Sequence, residues 1–251
     1  MDNVFIAEGS RWDHRSPRPW HRPINKLLAR LHINAHVGPR PFRWGLANVE
    51  ARMNLFHLAG QCAAFKVPGE FVEVGCNSGE SSVVIRKVLD SLAPDRRLYC
   101  FDSFEGLPEL TGDDARDRVY DKGWMHAPLA SFYDTFRRAG LAAPEHVFKG
   151  WFEDTIPRHL PDRIAFALLD ADLYSSTRHA LPHVYARLSP GAVCMFGVYY
   201  DETVFGRPET IGPYKSPGVK RATDEFFRDK PEKVSVLYAN EYSNGYFRKL
   251  G

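Results

Sequence analysis

Three groups of residues in this 251-residue chain have the types and spacing to do chemistry. The first is Glu73-Val-Gly75-Cys-Asn-Ser-Gly79-Glu80, where two glycines bracket a short loop between an apolar stretch and a helical pattern. Gly75 lets the backbone pass close to a ligand and Gly79 allows a tight turn. The helix that follows offers its free N–H groups. The second is Asp102, at the end of the next apolar stretch. It is placed to accept hydrogen bonds from ribose hydroxyls, or it caps the next turn. The third is the pair Asp170 and Asp172, directly after Arg163-Ile-Ala-Phe-Ala-Leu-Leu169. Their i, i+2 spacing points both side chains the same way if the strand continues. Such acids can bind a hard cation through oxygen, act as a general base, or cap a turn. Of the ten histidines, His126 sits in an acidic loop of the kind that closes over substrates. His179 and His183, at i, i+4, share a helix face but have no acid or Cys at metal spacing.

The elements that must position these groups alternate regularly. A 3–4 spacing predicts a helix over residues 47–65, broken at Pro68-Gly69. A strand follows at Glu70–Val74 and a helix runs to about Leu92. Strands are expected at 97–101, 143–149, 163–169 and 192–196. Helices are expected at 132–139, at 175–188 with Ser175 or Ser176 as N-cap, and at 219–227. Residues 111–130 and 199–217 read as loops, the latter with Tyr199, Tyr200 and Tyr214 shaping an acceptor pocket. Val234–Tyr238 and Asn244–Arg248 read as a terminal antiparallel pair. Strands alternating with helices give a doubly wound, mostly parallel, Rossmann-like sheet. Ligands then bind outside the carboxyl ends of its strands, where all three groups fall.

Residues 1–45 differ from the remainder. Seven Arg and one Lys stand against two Asp and one Glu, with Pro and four of the aromatics Trp12, Trp20, Phe42 and Trp44 interspersed. They read as a basic aromatic arm or lid ahead of one domain over 46–251. The balance of 33 basic and 31 acidic residues argues against nucleic acid as main partner. No apolar run reaches membrane-spanning length and the N-terminus has no signal-peptide core. The isolated cysteines Cys62, Cys76, Cys100 and Cys194 fit reduced thiols and a cytoplasmic setting. A loop without GxGxxG counts against a dinucleotide; with an acid closing the second strand it favours S-adenosylmethionine.

The stretches Phe71-Val-Glu-Val-Gly-Cys-Asn-Ser-Gly-Glu-Ser-Ser82, Asp102-Ser-Phe-Glu-Gly-Leu-Pro108, Gly150-Trp-Phe-Glu-Asp-Thr-Ile-Pro157 and Leu169-Asp-Ala-Asp-Leu-Tyr-Ser-Ser-Thr177 resemble the macrocin O-methyltransferase (TylF/MycF-like) family, in order and spacing, from about Asn48 to Phe247. The resemblance implies a class I methyltransferase fold, S-adenosyl-L-methionine, and methylation of a hydroxyl on a small glycosylated or polyhydroxylated natural product. It implies that Glu73, Gly75 and Gly79 line the methionine part of the cofactor, with Cys76, Asn77, Ser81 and Asp170 also expected among the cofactor-binding residues. Asp102 is then expected on the ribose beside Ser103 and Phe104, and Gly150, Trp151 and Glu153 near the adenine. It also implies magnesium, held by Asp170 and by an acidic pair after the next strand. Here Gly197-Val198 stand in place of that pair, leaving Asp170 and Asp201 as metal candidates, or a metal-free site with Asp170, Asp172 or His126 as base. A second reading, prompted by Gly197-Val198, is a methyltransferase fold turned to cyclisation, rearrangement or binding. The family also suggests a homo-oligomer.

Overall fold

Five parallel strands stand at the centre of the structure, a computed structural model that describes residues 21–33, 49–117, 120–200, 216–239 and 243–251. Contacts divide the chain into Met1–Leu46 and Ala47–Gly251. In the first unit the described element is helix α1 (His21–Arg30). The proposed arm's Trp12, Trp20, Phe42 and Trp44 lie outside the described residues.

The second unit runs α2 (Val49–Ala64), β1 (Glu70–Val74), α3 (Glu80–Leu92), β2 (Leu98–Asp102), α4 (Gly112–Asp117), α5 (Leu129–Ala139), β3 (His146–Lys149) and α6 (Phe152–His159). It continues β4 (Ile164–Leu169), α7 (Tyr174–Tyr185), β5 (Leu188–Phe196), α8 (Pro217–Phe227), β6 (Ser235–Leu237) and β7 (Asn244–Arg248). The sheet order is β3-β2-β1-β4-β5-β7-β6, with β1 to β5 parallel and β7 antiparallel to both neighbours. Two parallel strands need a crossover, and the helices provide it. α2, α3 and α5 pack together, as do α6, α7 and α8. Both faces of the central strands are thus covered, which is why all six residues of β4 are apolar and buried. Phe71 on β1 meets Phe166 on β4 with ring centroids 5.8 Å apart.

The sequence pattern and the structure part at four places. The acidic stretch 111–130, read as a loop, contains α4. It is there because Asp114 is buried and its carboxylate accepts the Ser175 N–H at 3.1 Å and the Ser175 hydroxyl. For the same reason neither Ser175 nor Ser176 is the N-cap of α7. Leu173 holds that position and makes no side-chain cap; the acceptor arrives from α4 instead. Residues 152–159 form α6 despite Pro157. Finally, β4 does not continue through the acids: Asp172 has φ 57°, a left-handed turn, so the i, i+2 strand argument fails there.

Candidate functional site

At the carboxyl end of β1 the chain turns at Gly75, whose φ is 88° and whose N–H donates to the Phe101 carbonyl at 2.9 Å. A Cβ at Gly75 would lie 2.0 Å from the Asp170 carbonyl oxygen. Glycine here serves first to let β1 and β4 close up. Asp102 then organises the loop. Its Oδ2 accepts the N–H groups of Cys76 and Asn77, both at 2.8 Å, and its Oδ1 accepts that of Phe104 at 2.6 Å. Burial raises its pKa and these three donors oppose the rise. A carboxylate has about four lone-pair sites, so Asp102 keeps capacity for a ribose hydroxyl while acting as the loop's clamp. Glu73 differs. It is fully buried, both oxygens accept hydroxyls, from Ser81 and Ser82, and burial pushes it up to about 7. Glu73 and Ser81 therefore tie α3 to β1. Gly79, at φ 84°, lets the chain pass Phe132, whose ring a Cβ would meet at 2.8 Å.

The loop after β2 is fastened to its neighbours. Ser103 donates to the Gly106 carbonyl at 3.0 Å and accepts from the Glu105 N–H at 3.1 Å. Phe104, at φ 54°, is buried edge-on against Phe132. Leu107 exchanges backbone bonds with residues 123 and 124, and Asn77 Nδ2 donates to the Met125 carbonyl at 2.6 Å. His126 sits exposed beside this seam, and no hydrogen bond among the described residues joins it to Asp170 or Asp172. At the end of β3, Gly150 donates to the Asp102 carbonyl at 3.0 Å. Trp151 caps α6 and is partly exposed. Glu153 lines a cleft of about 420 Å³ between α4, α6 and α7, with Asp113, Arg178 and His179.

At the end of β4, burial raises the proton affinity of both Asp170 and Asp172; the charges of Glu73 and Asp102 add to the rise at Asp170, and that of Asp170 adds to the rise at Asp172. Asp170 carries no side-chain hydrogen bond among the described residues. Asp172 has two long contacts, from Tyr120 Oη at 3.5 Å and Ser216 Oγ at 3.4 Å. Those two hydroxyls are buried and bonded to each other at 2.6 Å. Neither Tyr120 nor Ser216 stood out in the sequence, because they come from loops far apart in the chain and match no motif. By contrast Tyr199, expected in an acceptor pocket, spends its hydroxyl on Asp224 and its ring against Gly245. Tyr214 and Asp201 lie outside the described residues.

The cradle suits an adenosine-type cofactor carrying positive charge. Glu73, Asp102, Asp170 and Asp172 gather at neighbouring strand ends, and no Lys or Arg among the described residues forms an ion pair with them. The metal implied by the resemblance fits poorly. Gly197 and Val198 bring no side-chain oxygen. A Cβ at Gly197 would lie 2.1 Å from Asp170 Oδ1, so the space for a ligand side chain is already filled. Among the described residues the one group of three potential ligands in mutual reach is Glu73, Cys76 and Cys100, buried behind the loop. All four cysteines are free and buried. No helix among the described residues is long and apolar enough to cross a membrane.

The tetracenomycin-C 4'-O-methyltransferase of Streptomyces olivaceus, which acts on 8-demethyl-8-(2,3-dimethoxy-alpha-L-rhamnosyl)-tetracenomycin-C, is 38% identical over 153 residues, 58% of this chain and 59% of that protein. The mycinamicin III 3''-O-methyltransferase of Micromonospora griseorubida is 32% identical over 155 residues, 58% of this chain and 61% of that one. The chain thus spans about 59% of the length of the first of these curated relatives. Among solved structures, the O-methyltransferase NovP superposes with TM-score 0.71 at 20% identity, over 99% of this chain and 96% of that one, a likeness of fold. The sequence pattern of macrocin-O-methyltransferase (TylF) matches residues 46–206, from just before α2 to beyond the acids that follow β5. With β1 to β5, the Gly75 loop and the strand-end acids inside that span, the chain belongs to the macrocin-O-methyltransferase (TylF) family.

Proposed function

We propose that this protein is an S-adenosylmethionine-dependent O-methyltransferase acting on a hydroxyl of a small glycosylated or polyhydroxylated natural product. The observation that carries the reading is the set of strand-end acids Asp102, Asp170 and Asp172 without a basic partner among the described residues, Glu73 beside them being satisfied by Ser81 and Ser82. Buried carboxylates are stable when paired or hydrogen-bonded. A cofactor with an ammonium and a sulfonium supplies the missing charge; the pyrophosphate of a dinucleotide would add to the repulsion. The relatives' names support the acceptor class, since they place methyl groups on a rhamnosyl-bearing tetracenomycin and on mycinamicin III. The free thiols fit a cytoplasmic setting.

When bound, the cofactor supplies a sulfonium methyl group open to in-line displacement. The chain's own task is alignment and proton removal. Gly75 and Gly79 shape the loop that holds the amino-acid portion, and Asp102 fixes that loop while reaching the ribose. Asp170, with no side-chain partner among the described residues, accepts the acceptor's hydroxyl hydrogen, and Asp172 lies beside it. S-adenosylhomocysteine binding by calorimetry, on wild type and Asp102→Asn, tests the cofactor assignment. Binding weakened at least about tenfold in the variant, as expected for loss of a charged acceptor, supports it. No binding to the wild type refutes it and turns attention to a repurposed fold. Transfer of labelled methyl to rhamnosylated and other sugar-bearing acceptors then tests the reaction.

A further inference from the structure

Resting on that reading, we propose that this site positions its acceptor hydroxyl without a divalent cation, because Gly197 has given its side-chain space to the Asp170 carboxylate. Three observations carry this. First, the ladder brings the two residues together: Gly197 donates to the Leu169 carbonyl at 2.8 Å, so β5 ends directly beside the start of the Asp170 turn. Second, the collision at Gly197 is with the Asp170 carboxylate itself, at 2.1 Å to Oδ1, 2.3 Å to Cγ and 2.8 Å to Oδ2. A side chain at 197 and the present Asp170 rotamer exclude each other. Asp170 is therefore turned toward the very place from which a second carboxylate would have to reach a shared ion. Magnesium needs near-octahedral oxygen ligation, and selectivity rests on ligand number. Position 198 is Val and adds none.

Third, the remaining acid is engaged differently. Asp172 is turned by its left-handed backbone toward the Tyr120–Ser216 hydroxyl pair, and these contacts come from two separate loops. That pair and Asp172 give an acceptor polyol both donors and acceptors at the strand end. Neutral hydroxyls of this kind orient a sugar; they do not ligate a hard cation well against water. The two acids are thus held in different directions, Asp170 toward β5 and Asp172 toward the α8 side, rather than around a common centre.

The test uses Mn2+ as the probe ion, followed by paramagnetic resonance of the free ion and by calorimetry, on the full chain with S-adenosylhomocysteine present. The wild type is expected to show no stoichiometric site tighter than about 1 mM. The double substitution Gly197→Asp/Val198→Asp obliges Asp170 to rotate out and is expected to gain a one-to-one site at least about tenfold tighter. Adding Asp170→Asn should remove that site. A stoichiometric Mn2+ site in the wild type that Asp170→Asn abolishes overturns the proposal, and would mean that residues 201–215 complete a metal centre. A double variant that keeps its circular dichroism and binds S-adenosylhomocysteine but gains no Mn2+ also overturns it, since Gly197 would not be what withholds the ion. Failure of the wild type to bind S-adenosylhomocysteine refutes the methyltransferase reading itself, and is read in a separate channel from the Mn2+ signal.

Discussion

Glu73 makes a sharp case for linking burial to pH. Its carboxyl is fully buried, held by the Ser81 and Ser82 hydroxyls, and pushed from an ordinary 4.5 up to about 7, chiefly by burial. A raised carboxyl pKa means the folded chain holds a proton that the unfolded chain has released. Stability then falls as pH rises from 4.5 and the loss is complete above about 7. The shift of about 2.5 units corresponds to about 3 kcal/mol at most. Glu73→Gln keeps the shape of the protonated form and removes the titration. Urea unfolding of wild type and variant in the unliganded state, at pH 5 and pH 8, reads the effect, because groups not coupled to Glu73 cancel in the difference and Asp170, whose proton affinity Glu73 helps to raise, shifts it in the same direction. The variant should gain about 2–3 kcal/mol on the wild type between the two pH values. Parallel profiles, with a difference constant within about 0.5 kcal/mol, would refute the reasoning and mean that the carboxylate is ionised when folded.

Other consequences are more local. Gly75→Ala puts a Cβ 2.0 Å from the Asp170 carbonyl at φ 88° and should cost about 3 kcal/mol or more, seen as a fall in melting temperature of roughly 6–12 °C. Asp114→Ala removes the acceptor that α4 lends to Ser175 and should cost about 1–2 kcal/mol in chemical denaturation. Tyr199→Phe removes the hydroxyl bound to Asp224 and should cost about 1 kcal/mol while leaving S-adenosylhomocysteine affinity unchanged; weakened ligand binding would return Tyr199 to the ligand pocket.

How much of this was legible in the sequence depends on the range of the interaction. The buried strands were, because residues such as 164–169 are apolar on both faces and only a covered parallel strand asks for that. The positions of Gly75, Asp102 and Asp170 at strand ends followed from the same alternation. What the sequence hid depended on partners distant along the chain. Asp114 looks like one more acid in a polar loop until Ser175, 61 residues on, needs an acceptor. Tyr120 and Ser216 are 96 residues apart, and each is unremarkable alone. The direction of Asp172 turned on one backbone angle, φ 57°, which no side-chain pattern announces.

Asp170 sits between two glycines for different physical reasons, and together these fix what the site can do. Gly75 gives way to its backbone: a Cβ there would strike the Asp170 carbonyl oxygen, an obstacle that cannot rotate aside. Gly197 gives way to its carboxylate, which can rotate. The first contact therefore belongs to the fold, and substituting Gly75 should unseat the β1–β4 seam. The second is a matter of function, because a side chain at 197 would merely redirect Asp170. A position where substitution is sterically soluble yet glycine stands is best explained by what the freed carboxylate then does. Here it lies unpaired among the described residues, at the strand end beside the Gly75 loop, the position from which the function proposed above has it take the acceptor hydroxyl's proton.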